Sequence, residues 1–285
     1  MRIRAPAKIN LSLRVVGKRR DGYHLLDTVM VPVGLYDEIE ITRPKTRGHE
    51  NKGLTVTCDH PLVPSGKQNL AYQAAALLLG QRAGQTPLHI HIRKNIPVGA
   101  GLGGGSSDAA ATLRALNRLF HLKKSRRQLL SLAASLGADV PFFISGRPAR
   151  ARGVGDDLSS LRSMRRLWVV ILYPGFSVST GWVYRNLSFK LTKGIENTSL
   201  NFSARARKEL ARSLVNDLEK VVFRRYPQVA FLKKRLVQEG AAGALMSGSG
   251  SSVFGIFFAG DKAKKAFLRL RKEDGIQAYL VRSLS

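Results

Sequence analysis

Five glycines fall within seven positions of Pro97-Val-Gly-Ala-Gly-Leu-Gly-Gly-Gly-Ser-Ser-Asp-Ala-Ala110, namely Gly99, Gly101, Gly103, Gly104 and Gly105. Glycine admits positive φ and close backbone approach, and the unpaired N–H groups and dipole of a helix start favour an anion. An alternating segment, Leu88-His-Ile-His-Ile92, precedes the run and an Ala/Leu-rich helical segment follows it. Strand, glycine loop and helix start, in that order, make a phosphate site. As a bare turn, five glycines would cost too much backbone entropy.

Side chains elsewhere must supply the reaction. Asp139, in Leu136-Gly-Ala-Asp-Val-Pro-Phe-Phe143, is the only carboxylate between residues 109 and 155, and apolar residues follow it directly. Such a carboxylate needs a cation or a chemical task. It reads either as a helix cap or structural ion pair, or as the base for a substrate hydroxyl beside bound phosphate. Ala5-Pro-Ala-Lys-Ile-Asn-Leu11 places Lys8 and Asn10 on one face of an extended strand, with Ile9 and Leu11 on the other. Arg20-Asp-Gly-Tyr-His-Leu25 is a polar turn carrying an aromatic ring and an imidazole.

The better-known phosphate motifs do not fit. Gly99-x-Gly101-x-x-Gly104 satisfies the dinucleotide pattern, but no acidic residue follows about 20 positions on, and the loop sits in mid-chain. A P-loop needs Lys-Ser or Lys-Thr after its last glycine; here Ser106-Ser107-Asp108 follows. The His-Arg-Asp and Asp-Phe-Gly signatures of protein kinases are absent.

The elements that must position these residues mix strands and helices without a regular βαβ rhythm, which predicts an α+β class. Partial alternation predicts strands over Met1–Arg4, Leu11–Val16, Glu38–Ile41 and Leu54–Cys58, then Leu88–Ile92, Leu167–Tyr173 and Val253–Phe258. Helices are expected over Asn69–Gln81 with Asn69 as cap, Ser106–Phe120, Ser125–Leu136 ending at Gly137, Ala206–Arg224 and Pro227–Glu239. A last one is expected to be capped by Asp261. A second small-residue loop, Ser247-Gly-Ser-Gly-Ser-Ser252, precedes Val253.

At 285 residues the chain suits two domains sharing an interface. Its longest apolar run, Leu167–Tyr173, is far short of the ~20 residues that span a bilayer, and Met1-Arg-Ile-Arg-Ala-Pro6 lacks a signal peptide's apolar core. Cys58 is the single cysteine, so no intrachain disulfide or cysteine-cluster metal site can form. The expectation is a soluble cytoplasmic protein with no structural metal and no membrane partner. Forty-seven basic and 19 acidic residues give +28, a balance that raises nucleic acid as a partner. The cations are spread along helical faces, however, without a basic tail or aromatic interleaving, so no specific nucleic acid is expected.

Taken together these pieces resemble the GHMP small-molecule kinases. Pro6-Ala-Lys-Ile-Asn-Leu11, the glycine segment from Pro97 to Ala110 and Met246-Ser-Gly-Ser-Gly-Ser-Ser-Val-Phe254 are the signatures of the wider family. Asp21-Gly-Tyr-His24, Gly137-Ala-Asp-Val-Pro-Phe142 and Asn216-Asp-Leu-Glu219 mark the branch whose acceptor carries cytidine diphosphate. The resemblance spans nearly the whole chain in the expected order. Arg152-Gly-Val-Gly-Asp156 departs from the Gly-Arg-Gly-Glu often found there, and the Arg162/Arg165/Arg166 cluster is not demanded by the family.

The resemblance implies a two-lobed fold. Residues 1–158 would form an ATP-binding lobe like the second domain of ribosomal protein S5, and residues 159–285 a ferredoxin-like lobe for the acceptor. It implies ATP with Mg2+ and phosphorylation of the C2 hydroxyl of a cytidine-diphosphate-linked methylerythritol, in the non-mevalonate route to isoprenoid precursors. Asp139 would take the hydroxyl proton, and Lys8 would pair with it and stabilise the attacking oxygen. Pro97, Gly99, Ala100, Gly101, Leu102, Gly103, Gly104, Gly105, Ser106 and Ser107 would wrap the ATP phosphates, with Asn69, Leu70 and Lys94 at adenine. Asn10, Tyr23, His24, Thr180 and Tyr184 would hold the acceptor, Tyr23, His24 and Tyr184 around cytosine. No residue is assigned as a metal ligand. A monomer or weak dimer is expected. Two alternatives stay open: a GHMP kinase with another alcohol acceptor, and a nucleic-acid binder built on an S5-like lobe, which would leave Lys8, Asp139 and the glycine loop without a purpose.

Overall fold

Two long strands open the chain. β1 (Arg2–Lys18) and β2 (His24–Thr42) meet at a turn where Gly22 takes φ +90°, Arg19 N donates to Tyr23 O at 2.7 Å, and Tyr23 N donates to Asp21 Oδ1 at 3.2 Å. The short strands expected here are thus parts of two continuous ones. The reason is burial on both sides: Ala5, Ala7, Ile9 and Leu11 on one face are buried, and so are Lys8, Asn10 and Ser12 on the other. A strand covered on both faces loses the period-two signature that sequence reading depends on.

The computed structural model describes residues 1–43, 53–161, 164, 166–187 and 213–285. By Cα proximity the chain divides into two compact units, each assembled from separate stretches. Unit one comprises residues 1–7, 35–98 and 103–146. Its strand order is β3–β4–β2–β1. β3 (Leu54–Cys58) runs parallel to β4 (Leu88–Arg93) with Val56 opposite Ile90, and β4 is antiparallel to β2 with Ile92 opposite Ile39. Four helices accompany this sheet: α1 (Leu70–Leu79), α2 (Gly104–Leu119), α3 (Arg126–Leu136) and α4 (Val140–Ser145). α1 and α2 pack on each other through alanines, Ala71, Ala74 and Ala75 on one, Ala109 and Ala110 on the other, all buried.

Local signals set the helix ends. Asn69 Oδ1 accepts from Ala71 N at 2.8 Å, capping α1. Ser125 and Gln128 form a reciprocal capping box at the start of α3, whose C-cap is Gly137.

Unit two comprises residues 8–34, 99–102 and 147–285. Here β1 lies between β2 and the two-residue β8 (Val215–Asn216), while β5 (Ala149–Gly153) pairs with β2 and β6 (Asp157–Ser160) with β5. A separate antiparallel sheet has the order β11–β7–β10–β9, from β7 (Trp168–Tyr173), β9 (Gly243–Met246), β10 (Val253–Phe257) and β11 (Gln277–Arg282). Its helices are α5 (Thr180–Arg185), α6 (Glu219–Arg225), α7 (Pro227–Gln238) and α8 (Gly260–Leu270). Leu232 and Leu236 of α7, Ala263, Ala266 and Leu270 of α8, and Val170, Leu172, Val253 and Phe257 of the sheet share one core.

Two expectations change, and a third falls mostly outside the described residues. The helix expected over Ala206–Arg224 lies in part outside the described residues, and inside them β8 interrupts it, so that the helix begins at Glu219. α8 is capped by Ala259 rather than by Asp261, which stands in its first turn. Of the Arg162/Arg165/Arg166 cluster, Arg162 and Arg165 lie outside the described residues. No helix among the described residues is long and apolar enough to cross a membrane.

Candidate active site

In unit two the buried polar face of β1 forms a chain of hydrogen bonds. Lys8 Nζ donates to Asn10 Oδ1 at 2.7 Å, Asn10 Nδ2 to Thr28 Oγ1 at 2.8 Å, and Thr28 Oγ1 to the Ser12 carbonyl at 2.6 Å. Strand alternation had put Lys8 and Asn10 on one face, and their contact shows it. Lys8 is only 4% exposed, and its backbone N–H donates to the Leu102 carbonyl of the glycine loop at 2.9 Å. A buried ammonium so constrained is a fixed point charge, not surface decoration.

The glycine loop changes unit twice along the chain: Gly99, Ala100, Gly101 and Leu102 belong to unit two, and the residues on either side to unit one. Within unit two it is clasped by the small-residue loop after β9. Ser247 Oγ donates to Gly101 O at 2.9 Å, and Ser252 N donates to Ala100 O at 3.2 Å. That second loop hangs from Asn216, whose Nδ2 donates to Met246 O and Gly248 O, both at 2.8 Å. Asn216 Oδ1 also accepts from Leu218 N, Asp217 Oδ2 from Val15 N, and Glu219 Oε1 from Met246 N. Asn216-Asp-Leu-Glu219 is therefore the bracket that ties β1, β9 and the second loop together. Asn216→Ala orphans two buried carbonyls, and we expect a destabilisation of about 1–3 kcal/mol for each, read as a lower unfolding midpoint; an unchanged midpoint would contradict the bracket.

Also in unit two, the rings of His24 and Tyr184 stack with centroids 5.0 Å apart and planes 26° from parallel. Burial, helped by Lys18, lowers the His24 pKa, which keeps the imidazole neutral and able to face another ring. Tyr23 beside it is exposed. Thr180, the first residue of α5, shares a 2.7 Å hydrogen bond with Ser249 of the second loop.

In unit one the remaining residues of the glycine loop enter α2. Gly103 takes φ +73° just before the helix, Gly104 to Ser107 form its first turn, and no acidic side chain stands in that turn. Leu70, after the Asn69 cap, lies beside Gly105. Lys94 is buried against Asp37 and Asp108, a pairing that residue spacing does not signal, since Asp37 lies in β2 and Asp108 in α2. Asp139 occupies the N-cap position of α4, but its side chain does not cap that helix. The capping explanation for this carboxylate fails.

Family comparison addresses the whole chain. The model of the GHMP kinases N terminal domain matches residues 69–147, and that of the GHMP kinases C terminal matches residues 197–276. The chain is 44% identical to a 4-diphosphocytidyl-2-C-methyl-D-erythritol kinase of Syntrophus aciditrophicus, covering 100% of this chain and 99% of that one. The chain belongs to the GHMP kinases. A second relative of the same name, from Citrifermentans bemidjiense, is 45% identical with the same coverage. A crystal structure of 4-(cytidine 5'-diphospho)-2C-methyl-D-erythritol kinase matches with a TM-score of 0.83 at 37% identity, each chain fully covered. Methanococcus jannaschii mevalonate kinase matches with a TM-score of 0.75 at 15% identity, covering 100% of this chain and 98% of that one, which shows the fold alone. This GHMP kinase is thus an α+β protein of the expected fold.

Proposed function

We infer that this chain is an ATP-dependent kinase that phosphorylates the C2 hydroxyl of 4-diphosphocytidyl-2-C-methyl-D-erythritol, a step of non-mevalonate isoprenoid precursor synthesis. The observation that carries this is full-length identity of 44–45% to kinases named for that substrate. The stacked His24–Tyr184 pair supports it, since a flat aromatic base is held by ring faces.

Phosphoryl transfer asks the protein for in-line positioning and neutralised charge. We assign the glycine loop from Pro97 to Ser107 to the ATP phosphates, where first-turn N–H groups of α2 supply donors, and Asn69, Leu70 and Lys94 to the adenine side. Lys94 acts there from behind, as a buried cation. Asp139 takes the proton of the attacking hydroxyl, and Lys8 lends its fixed positive charge to the oxygen as it loses that proton. Asn10 and Thr180 orient the polyol; Tyr23, His24 and Tyr184 receive cytosine. Residues 1–158 then carry the donor site and the catalytic residues, with Asn10, Tyr23 and His24 reaching the acceptor, and residues 159–285 supply the rest of the acceptor site.

Mg2+ belongs to the nucleotide in this reading. Among the described residues no group of three or more His, Cys, Asp or Glu is placed to hold a metal ion. Carried in by the nucleotide with most of its waters, Mg2+ would need no dedicated protein cage and would supply neutralisation of phosphate charge.

The deciding assay measures ATP consumption with 4-diphosphocytidyl-2-C-methyl-D-erythritol, mevalonate, homoserine and galactose. Turnover with the cytidine substrate alone is expected. A preference for any other acceptor, or no turnover with the first, overturns the assignment.

A further inference from the structure

Unit one holds a buried charge cluster of which the proposed reaction uses only Lys94, leaving Asp37 and Asp108 without a task. Lys94 Nζ, just past β4, donates to Asp37 Oδ2 of β2 and, at 2.9 Å, to Asp108 Oδ2 of α2. The three side chains are 3%, 0% and 4% exposed. Asp37 is fully engaged, because its Oδ1 accepts from Asn95 N at 2.7 Å and from Ile96 N at 2.8 Å. Asp108 is not: its Oδ1 is buried without a hydrogen-bond partner, as is the neighbouring Ser107 Oγ. Two ionised carboxylates around one ammonium leave a net buried negative charge.

The imbalance resolves if Asp108 is neutral. Burial raises its pKa, with Lys94 opposing and Asp37 adding, to about 7. Burial works against the Lys94 ammonium, but Asp108 and Asp37 outweigh it and hold the ammonium protonated. Cys58, the last residue of β3, feels Lys94 and Asp108, and Asp59 just beyond it accepts from Lys94 N at 2.9 Å. Helices α1 and α4 carry no charged side chain. Arg126 and Arg127 of α3, and Arg114 and Arg118 of α2 itself, are exposed, with Arg126 bonded to Ser145 Oγ. The cluster lies against the start of α2, because a Cβ on Gly104 would stand 3.0 Å from Lys94 Nζ and 3.3 Å from Asp37 Oδ2.

We propose that Asp108, held by Lys94 and Asp37, is a positioning residue whose protonation sets the charge beneath the first turn of α2 and so tunes that turn's affinity for an anionic phosphate. The proposal rests on the reading of this loop as the ATP site. With Asp108 neutral, Lys94 and Asp37 cancel, and the first-turn N–H groups meet the anion unopposed. With Asp108 ionised, a buried negative charge stands behind them and opposes it. ATP binding above neutral pH therefore takes up a proton, and affinity declines as pH rises through about 7.

The test compares the wild type with Asp108→Asn, which mimics the neutral carboxyl in shape and charge. A carboxyl whose folded pKa lies above its unfolded value stabilises the fold at low pH, and that contribution is lost as pH rises from about 4 to about 7. Thermal unfolding should therefore show the wild type losing stability relative to Asp108→Asn over that window, the gap becoming constant above it. Calorimetric ATP titrations from about pH 6 to 8.5 should show wild-type affinity falling several-fold more than that of the variant; the nucleotide's own ionisation is common to both and cancels. The change should appear in KM for ATP more than in kcat. Parallel unfolding curves, or equal pH dependence of ATP affinity, overturn the proposal. If the variant does not fold, wild-type titrations in two buffers of different ionisation enthalpy decide, since absence of proton uptake at pH 8 overturns it. If ATP binds at no pH, the ATP-site reading fails and the coupling with it, while the unfolding curves still report whether Asp108 titrates.

Discussion

Asp139→Asn is expected to leave a folded protein whose kcat falls about a hundredfold or more, with KM for ATP and acceptor changed little. The folded structure does not depend on this carboxylate as a cap, because α4 starts without a side-chain bond from Asp139. Burial of Val140, Phe142 and Phe143 anchors the helix instead. Asn keeps the size and polarity of the side chain but cannot hold a transferred proton, so the loss should fall on the chemical step. Steady-state kinetics with the cytidine substrate and a melting curve of the same preparation check it. Retention of full turnover would remove Asp139 from the mechanism, and a large drop in melting temperature would move it to a structural role.

Gly101→Ala should be among the most damaging single changes in the chain. Gly101 takes φ +76°, and a Cβ there would lie 2.0 Å from the Ser247 carbonyl oxygen and 3.1 Å from Gly250 N. Both are backbone atoms of a loop fixed by Asn216, and Ser247 Oγ is already bonded to Gly101 O. No rotamer change relieves such a contact. The two loops must part, at a cost of about 4 kcal/mol or more. At ~2–4 °C per kcal/mol this lowers the melting temperature by on the order of 8 °C or more, and turnover should fall with it as Ala100 and Leu102 shift. Gly66→Ala is the control. Gly66 has φ +68° but open space around its Cβ position, so only the left-handed strain of about 1–2 kcal/mol applies. Equal losses in both variants would show that conformation, not close approach, selects glycine at position 101.

Helix ends were legible because their causes are local. Asn69, Ser125 with Gln128, and Gly137 act on backbone groups within a few residues, and each stands where its type predicts. The glycine loop and its helix were legible for the same reason. Strands β1 and β2 were only partly so, since burial of both faces erased the alternation that marks a half-covered strand. β8 was missed because its pairing partner, Ser12–Leu13, lies some two hundred residues away.

The sequence by itself determined the glycine loop, the α+β class and, by resemblance, the kinase family, along with Lys8, Asn10 and Asp139 as residues set apart by their neighbours. The class and the loop follow from composition and spacing over short windows, and the family from motifs that resemble those of known members. The tertiary structure alone decided what restrains those residues. It set the Lys8–Asn10–Thr28 chain, the clasp of Ser247 on Gly101, the bracket at Asn216 and the burial of Lys94 between Asp37 and Asp108. Hydrogen bonding and charge burial depend on distance in space and on exclusion of water, and neither is written in the spacing of residues along the chain.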